Sequence, residues 1–315
     1  MRLWEQHCCV PLAHTADLSA LARYPQGSHL SINVGYSPHS KTEVAALCGE
    51  FRRQVLADDR LVMVDADPVE GATTVAFDLE DSGPIEGDLA NVEYVHGLGV
   101  RSMLPTYNFV NAAGCGCLDS DDTGLTSYGR DLVAEMNRVG MLVDGSHCSI
   151  RTGLDLAAVT QAPMIYSHSN FAALWSHPRN ITDEQARECA QTGGVVGING
   201  VGIFLGVNGP AEADARVQAM ADHIEYAVEL LGVEHVGIGS DYSFDHEDFN
   251  AEMAAHPEAF SQEYTRYGPL QWVPPEGVAS LPSVLAERGF DAESIAAVHG
   301  GNFARVARIA QATGG

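Results

Sequence analysis

Two short apolar runs, each ending in a histidine, constrain this chain more than any other feature. Met141-Leu-Val-Asp-Gly-Ser-His147 and Pro163-Met-Ile-Tyr-Ser-His168 are separated by one helix-length segment, Ile150 to Thr160. A strand–helix–strand crossover joins parallel strands, and such strands end on the same edge of their sheet. The pattern therefore delivers two imidazoles side by side at neighbouring strand ends, which is what a metal site requires.

The remaining residues continue that pattern. Arg2 to Cys9 reads as a first strand and the alternating His29 to Gly35 as a second. Thr73 to Glu80, Val100 to Pro105, Gly194 to Asn199 and His235 to Asp241 read as four more. Helical periodicity fills the gaps at Thr42 to Leu56, Leu89 to His96, Ser127 to Arg138 and Ala211 to Leu231. Thr182, three residues before Gln185, marks another helix start, and Leu281–Arg288 and Asp291–Ala312 close the chain as helices. With Leu61 to Val64 set aside as an extra strand, eight strands remain. They end near Cys9, Gly35, Glu80, Thr106, His147, His168, Asn199 and Asp241. Eight strands alternating with helices in 315 residues predict an α/β fold, a single-domain (β/α)8 or TIM barrel. The loop from Asn111 to Thr123, rich in Gly, Cys and Asp, is expected over the strand ends. The aromatic-rich segment 242–277 is expected to act as a lid.

Charge narrows the partners. Forty-two Asp and Glu stand against 17 Lys and Arg, a net charge of -25, and such a field repels nucleic acid and anionic membranes. The expected partner is a small molecule. No run of about 18 apolar residues and no apolar leader occurs, so a cytoplasmic protein is expected. Seven cysteines show no zinc-ribbon spacing, and Cys115-Gly-Cys117 is too tight for one. Free thiols are expected, with Cys48 and Cys189 as small core residues.

In a barrel of this kind function sits at the C-terminal ends of the strands. The metal-capable residues there are His7, Cys9, Glu80, His147, His168 and Asp241. Any one of them alone is more often a structural group; six on one rim are not. The mixture of imidazole, carboxylate and thiol suits Zn2+. A carboxylate between two histidine pairs can bridge two ions that activate water and polarise a carbonyl, with Asp241 moving a proton. The other histidines, His14, His39, His96, His177, His223, His256 and His299, fall in helices or loops and are expected at the surface or as capping groups. His246, on the lid segment, is a candidate to face the site.

Gly124 to His147 resembles the membrane (renal) dipeptidase family, peptidase family M19, of the amidohydrolase superfamily. So do Ser167-His168-Ser-Asn, His177-Pro-Arg-Asn180, Gly193 to Asn199, His235 to Asp241 and Gly301-Asn-Phe303. The likeness runs through nearly the whole chain in order. It implies a (β/α)8 barrel with two zinc ions that hydrolyses dipeptides, often with a D-residue at the C-terminal position, and it allows a homodimer. By position, Glu80 matches the bridging carboxylate and His147 and His168 match two zinc ligands. Asp241 matches the acid/base, and Arg179 the arginine that grips the substrate carboxylate, a task that suits a guanidinium fork. The chain departs from the family twice. His7 is kept, but Cys9 stands where the family has a metal-binding aspartate, which leaves either a thiolate-ligated two-zinc site or a one-zinc enzyme. Tyr107 stands where the family often has a substrate-contacting histidine; it can still donate to an oxyanion.

The leading expectation is a zinc-dependent hydrolase acting on a dipeptide or similar small carboxylated amide. The alternatives are a same-fold amidohydrolase acting on a non-peptide amide, lactam or lactone, and a non-catalytic barrel that has lost one metal.

Overall fold

A computed structural model describes residues 2–255 and 257–314, the side chains of 257–259 excepted. Eight parallel strands form its centre: β1 (Trp4–Cys9), β2 (His29–Asn33), β3 (Thr73–Leu79), β4 (Val100–Met103), β5 (Leu142–Val143), β6 (Ile165–Tyr166), β7 (Val195–Ile198) and β8 (Val236–Ile238). They pair in the order β5-β4-β3-β2-β1-β8-β7-β6. A parallel bridge between Asp144 and Ile165 joins the two ends of that order and makes the sheet a barrel. The predicted (β/α)8 barrel is therefore the observed fold. The run at Leu61–Met63 is a strand, paired parallel to β3 on the outside of the ring, and Tyr242–Ser243 pairs with the end of β1.

Local chemistry explains the helices that separate the strands. Ser40 and Glu43 form a capping box on the Lys41–Leu56 helix, and Thr182 and Gln185 form the predicted one on Asp183–Gln191. Ser149 accepts from the Thr152 amide and starts Ile150–Val159 directly after His147. The last predicted helix is broken: Ala292–Ala296 passes through a π-turn into Asn302–Thr313, because β1 crosses at Gly300, where a side chain would meet the Arg2 carbonyl and the Trp4 amide. Segment 242–277 carries helices His246–Ala255 and Pro257–Thr265 and the start of Pro275–Glu287.

All seven cysteines are free, and Cys48 and Cys189 are buried as expected. The surface expectation fails for His177, His223 and His299, which are buried. Two of them satisfy their rings internally: His223 Nδ1 accepts from the Phe171 amide at 3.2 Å and His177 Nδ1 from the Arg179 amide at 3.1 Å. A neutral imidazole with such a partner is a tolerable core residue. His256 lies outside the described residues. Among the described residues no helix is long and apolar enough to cross a membrane.

Candidate metal centre

Glu80 directly follows β3, and its Oε1 is the hub of the barrel mouth. It lies 3.4 Å from His7 Nε2, 3.3 Å from His147 Nε2 and 3.4 Å from His168 Nε2. On the β1 side, His7 Nε2 is 3.5 Å from Cys9 Sγ and 3.6 Å from Asp241 Oδ1. Cys9 Sγ is 3.8 Å from Asp241 Oδ1. All six residues predicted from strand ends thus meet in one cluster.

The backbone turns two of them inward. His147 (φ 61°) and Asp241 (φ 56°) adopt left-handed conformations that residues with a Cβ seldom take, and so does Asn108 (φ 52°). These turns end the extended chain and aim the side chains across the mouth. Gly239 lets β8 approach β6, since a Cβ there would strike the Ser167 carbonyl oxygen.

A second set of side chains orients the first. His7 Nδ1 bonds Asp78 Oδ1 at 2.9 Å, while Asp78 Oδ2 accepts from Ser31 at 2.7 Å. His147 Nδ1 meets Asn108 Oδ1 at 2.8 Å, and His168 Nδ1 meets Ser167 Oγ at 2.6 Å. Carboxylate and amide oxygens only accept, so His7 and His147 each carry a proton on Nδ1, and the neutral His147 ring turns its Nε2 lone pair toward Glu80. Asn33 donates to Glu80 Oε2 and Asn199 donates to Asp241 Oδ2 at 2.9 Å, which leaves Oε1 and Oδ1 for the cluster. Asp78 carries a signal that sequence reasoning could have used, being two residues before Glu80 on the same strand face. Ser167 and Asn199 stand inside motifs shared with the dipeptidase pattern; Asn108 and Asn33 carry no sequence signal of this role.

Burial sets the electrostatics. It pushes His147 down to about 3, keeping that ring neutral as a metal ligand must be, and pushes Asp241 up to about 6. Burial alone would raise Glu80, but His7 and the other two imidazoles hold it well below the usual carboxylate range.

The donor set fits metal. Ligands of one tetrahedral zinc ion, at about 2.0–2.1 Å for nitrogen or oxygen and about 2.3 Å for sulfur, are separated by about 3.4 Å, or about 3.6 Å for a nitrogen–sulfur pair. The observed spacings are 3.4 Å for His7 with Glu80, 3.5 Å for His7 with Cys9, and 3.1 Å between His147 and His168. Two groups emerge, His7–Cys9–Glu80 and Glu80–His147–His168, sharing one carboxylate; Asp241 also groups with His7 and His168.

Tyr107 stacks on His147 with ring centres 4.2 Å apart, and Asp81 holds its backbone amide at 2.9 Å. Arg179 is buried, donates from Nη2 to the His168 carbonyl at 3.2 Å, and carries its guanidinium 5.3 Å from the Phe204 ring centre. A cavity of about 270 Å³ includes Cys9, Glu80 and Tyr107 in its wall. Another, of about 420 Å³, is lined by Arg179 and His147 together with Cys117 and Asp119 of the predicted loop. A narrow inner space is lined by Cys9, Glu80, Tyr107, His147 and Asp241 together with Phe249, Tyr264 and Trp272 of segment 242–277. His246 stacks on Trp272 at 4.4 Å and belongs to none of the metal-capable groups among the described residues.

A sequence profile described as membrane dipeptidase, peptidase family M19, matches residues 42–253, more than half of the chain. The chain belongs to the membrane dipeptidase family. Among curated proteins it is similar to an uncharacterized dipeptidase of Schizosaccharomyces pombe, 38% identical over 176 residues that cover 55% of this chain and 42% of that one. A dipeptidase of Aspergillus oryzae is 31% identical over 239 residues, covering 75% of this chain and 51% of the relative. The chain spans about half the length of the curated relatives it matches. Among solved structures, an amidohydrolase from Pseudomonas aeruginosa superposes with a TM-score of 0.86 at 25% identity, covering 98% of this chain and 96% of that one. The membrane dipeptidase profile spans Glu80, His147, His168, Arg179 and Asp241, while His7 and Cys9 fall before its start.

Proposed function

We propose that this chain is a zinc-dependent hydrolase that cleaves the amide bond of a dipeptide or of a similar small amide with a free carboxylate. One observation carries the reading: three imidazole Nε2 atoms surround Glu80 Oε1 at 3.3–3.4 Å. Family membership and the dipeptidase names of the relatives support it. His7, Cys9 and Glu80 would hold one ion, and Glu80, His147 and His168 a second. When bound, such ions polarise a carbonyl and make water nucleophilic near neutral pH.

The protein's own groups do the rest. Asp241 takes a proton from the attacking water and returns it to the departing amine as the C–N bond breaks. Asn199 fixes the outer oxygen of that carboxyl, so Oδ1 is the atom that moves the proton. The Tyr107 hydroxyl donates to the developing oxyanion, and its stacking on His147 sets its place. Arg179 grips the substrate carboxylate. Segment 242–277 is the lid, with Phe249, Tyr264 and Trp272 excluding water from the inner space.

A second reading, an amidohydrolase acting on a non-peptide amide, lactam or lactone, is favoured by Tyr107 at the position of the family histidine. Purified protein reconstituted with Zn2+ and offered dipeptides, including those with C-terminal D-residues, beside N-acyl amino acids, lactams and lactones separates the two. Dipeptide turnover is expected. Turnover confined to the other classes replaces the leading reading, and none in any class leaves a non-catalytic barrel.

A further inference from the structure

The two candidate metal positions differ in one kind of atom. The first groups His7 Nε2, Cys9 Sγ and Glu80 Oε1, with Asp241 Oδ1 3.6 Å from the imidazole; the second offers Glu80 Oε1 and two imidazoles. Cys9 is the last residue of β1 and is 8% exposed. Its sulfur lies 3.5 Å from His7 Nε2, against about 3.6 Å for nitrogen and sulfur donors on one tetrahedral zinc ion. Neighbouring Cys8 is not a competitor, because its thiol donates to the Ser31 carbonyl at 3.4 Å. Among the described residues Cys9 is the one cysteine in any metal-capable group.

A thiolate is a soft donor. It favours Zn2+, Cd2+ and Co2+ over Mn2+ and Mg2+ far more than a carboxylate in the same place does. Imidazole and carboxylate donors alone discriminate less, and they accept Mn2+ as well as Zn2+. One sulfur on one side of Glu80 therefore gives two positions of unequal softness that share a ligand.

We propose that Cys9 makes the first position selective for thiophilic ions while the second stays open to harder ones, so that the pair loads unlike metals from a mixture. The proposal rests on the metallohydrolase reading above. In wild type, Co2+ added to chelator-stripped protein should produce a near-ultraviolet thiolate-to-cobalt charge-transfer band that saturates at one equivalent, while visible cobalt bands grow to two. Cys9→Ser and Cys9→Asp should lose the charge-transfer band. In competition, Cys9→Asp should lower the preference for Cd2+ over Mn2+ by more than the roughly 10–100-fold that loss of an outer-shell partner costs. Two bound Co2+ ions without the band in wild type, a band that persists in Cys9→Ser, or an unchanged Cd2+/Mn2+ preference overturns the proposal while leaving the hydrolase reading in place. A wild-type chain that binds no Co2+ overturns both. The wild-type spectrum tests the thiolate ligand, and wild-type competition between Cd2+ and Mn2+ tests the selectivity, even where a variant fails to fold.

Discussion

The Nε2 atoms of His147 and His168 lie 3.1 Å apart, each about as far from Glu80 Oε1 as from the other. Buried His147 is neutral with its proton on Nδ1, so its Nε2 turns a lone pair toward the Glu80 carboxylate, an orientation that gains nothing by itself. The arrangement is held from behind, by Asn108 on one ring and Ser167 on the other. Preorganisation of this kind has a use when a cation sits between the donors.

Glu80 is the shared donor, so its loss should disable both positions at once. Glu80→Gln keeps the shape and, with its oxygen accepting from Asn33, presents an N–H instead of a carboxylate oxygen to three imidazoles. Metal per chain should fall and turnover should be lost, with the circular dichroism spectrum unchanged. Wild-type metal content or turnover in that variant would refute the role of Glu80.

Asp78 acts through His7. It accepts from Nδ1 and thereby presents Nε2 as a ligand. Asp78→Asn can offer Nδ1 an N–H instead and lets the ring change tautomer. Metal titration should show a roughly 10–100-fold weaker first position, with the affinity of the second little changed. An equal loss at both positions would mean that Asp78 acts on the barrel rather than on His7.

Much of the barrel and of its metal cluster is legible in the order of residues alone. The eight strands follow from apolar runs spaced by helical periodicity, and the clustered metal-capable residues follow from which residues end those runs. The capping box at Thr182 and Gln185 forms as the spacing predicts. What the sequence conceals is decided by tertiary contact. The runs ending at His147 and His168 form strands of only two residues each, and the first leaves the extended conformation at His147, whose left-handed backbone turns it inward. The break at Gly300 depends on β1, nearly three hundred residues away in sequence. The burial of His177, His223 and His299 is hidden too, since periodicity does not distinguish a neutral core imidazole from an exposed one.

Arg179 is predicted to read the substrate carboxylate. Arg179→Met removes the guanidinium fork without leaving a charge behind. Losing charge-assisted hydrogen bonds of about 1.5–3 kcal/mol should lower kcat/KM by roughly 10–100-fold for substrates with a free carboxylate. Substrates in which that carboxylate is amidated should be hydrolysed equally by both proteins. An equal drop for both substrate types would show a structural role through the His168 carbonyl instead.

Acid should weaken the fold through histidines remote from the metal cluster, and His223 isolates the effect. Burial pushes it from an ordinary 6.5 down to about 4, and its Nδ1 is engaged as an acceptor by the Phe171 amide. Below about pH 6.5 the unfolded chain takes up a proton that the folded chain refuses until about pH 4. The unfolded state then binds more protons, so stability falls as pH drops through that window and is unaffected above it. Across the full window the loss is about 3 kcal/mol. His223→Gln keeps an acceptor but cannot titrate. Thermal melts of chelated wild type and variant from pH 8 to pH 4 should therefore show a wild-type advantage at pH 8 that shrinks steadily below pH 6.5. A difference in melting temperature that stays constant across the series would mean that His223 is protonated equally in both states.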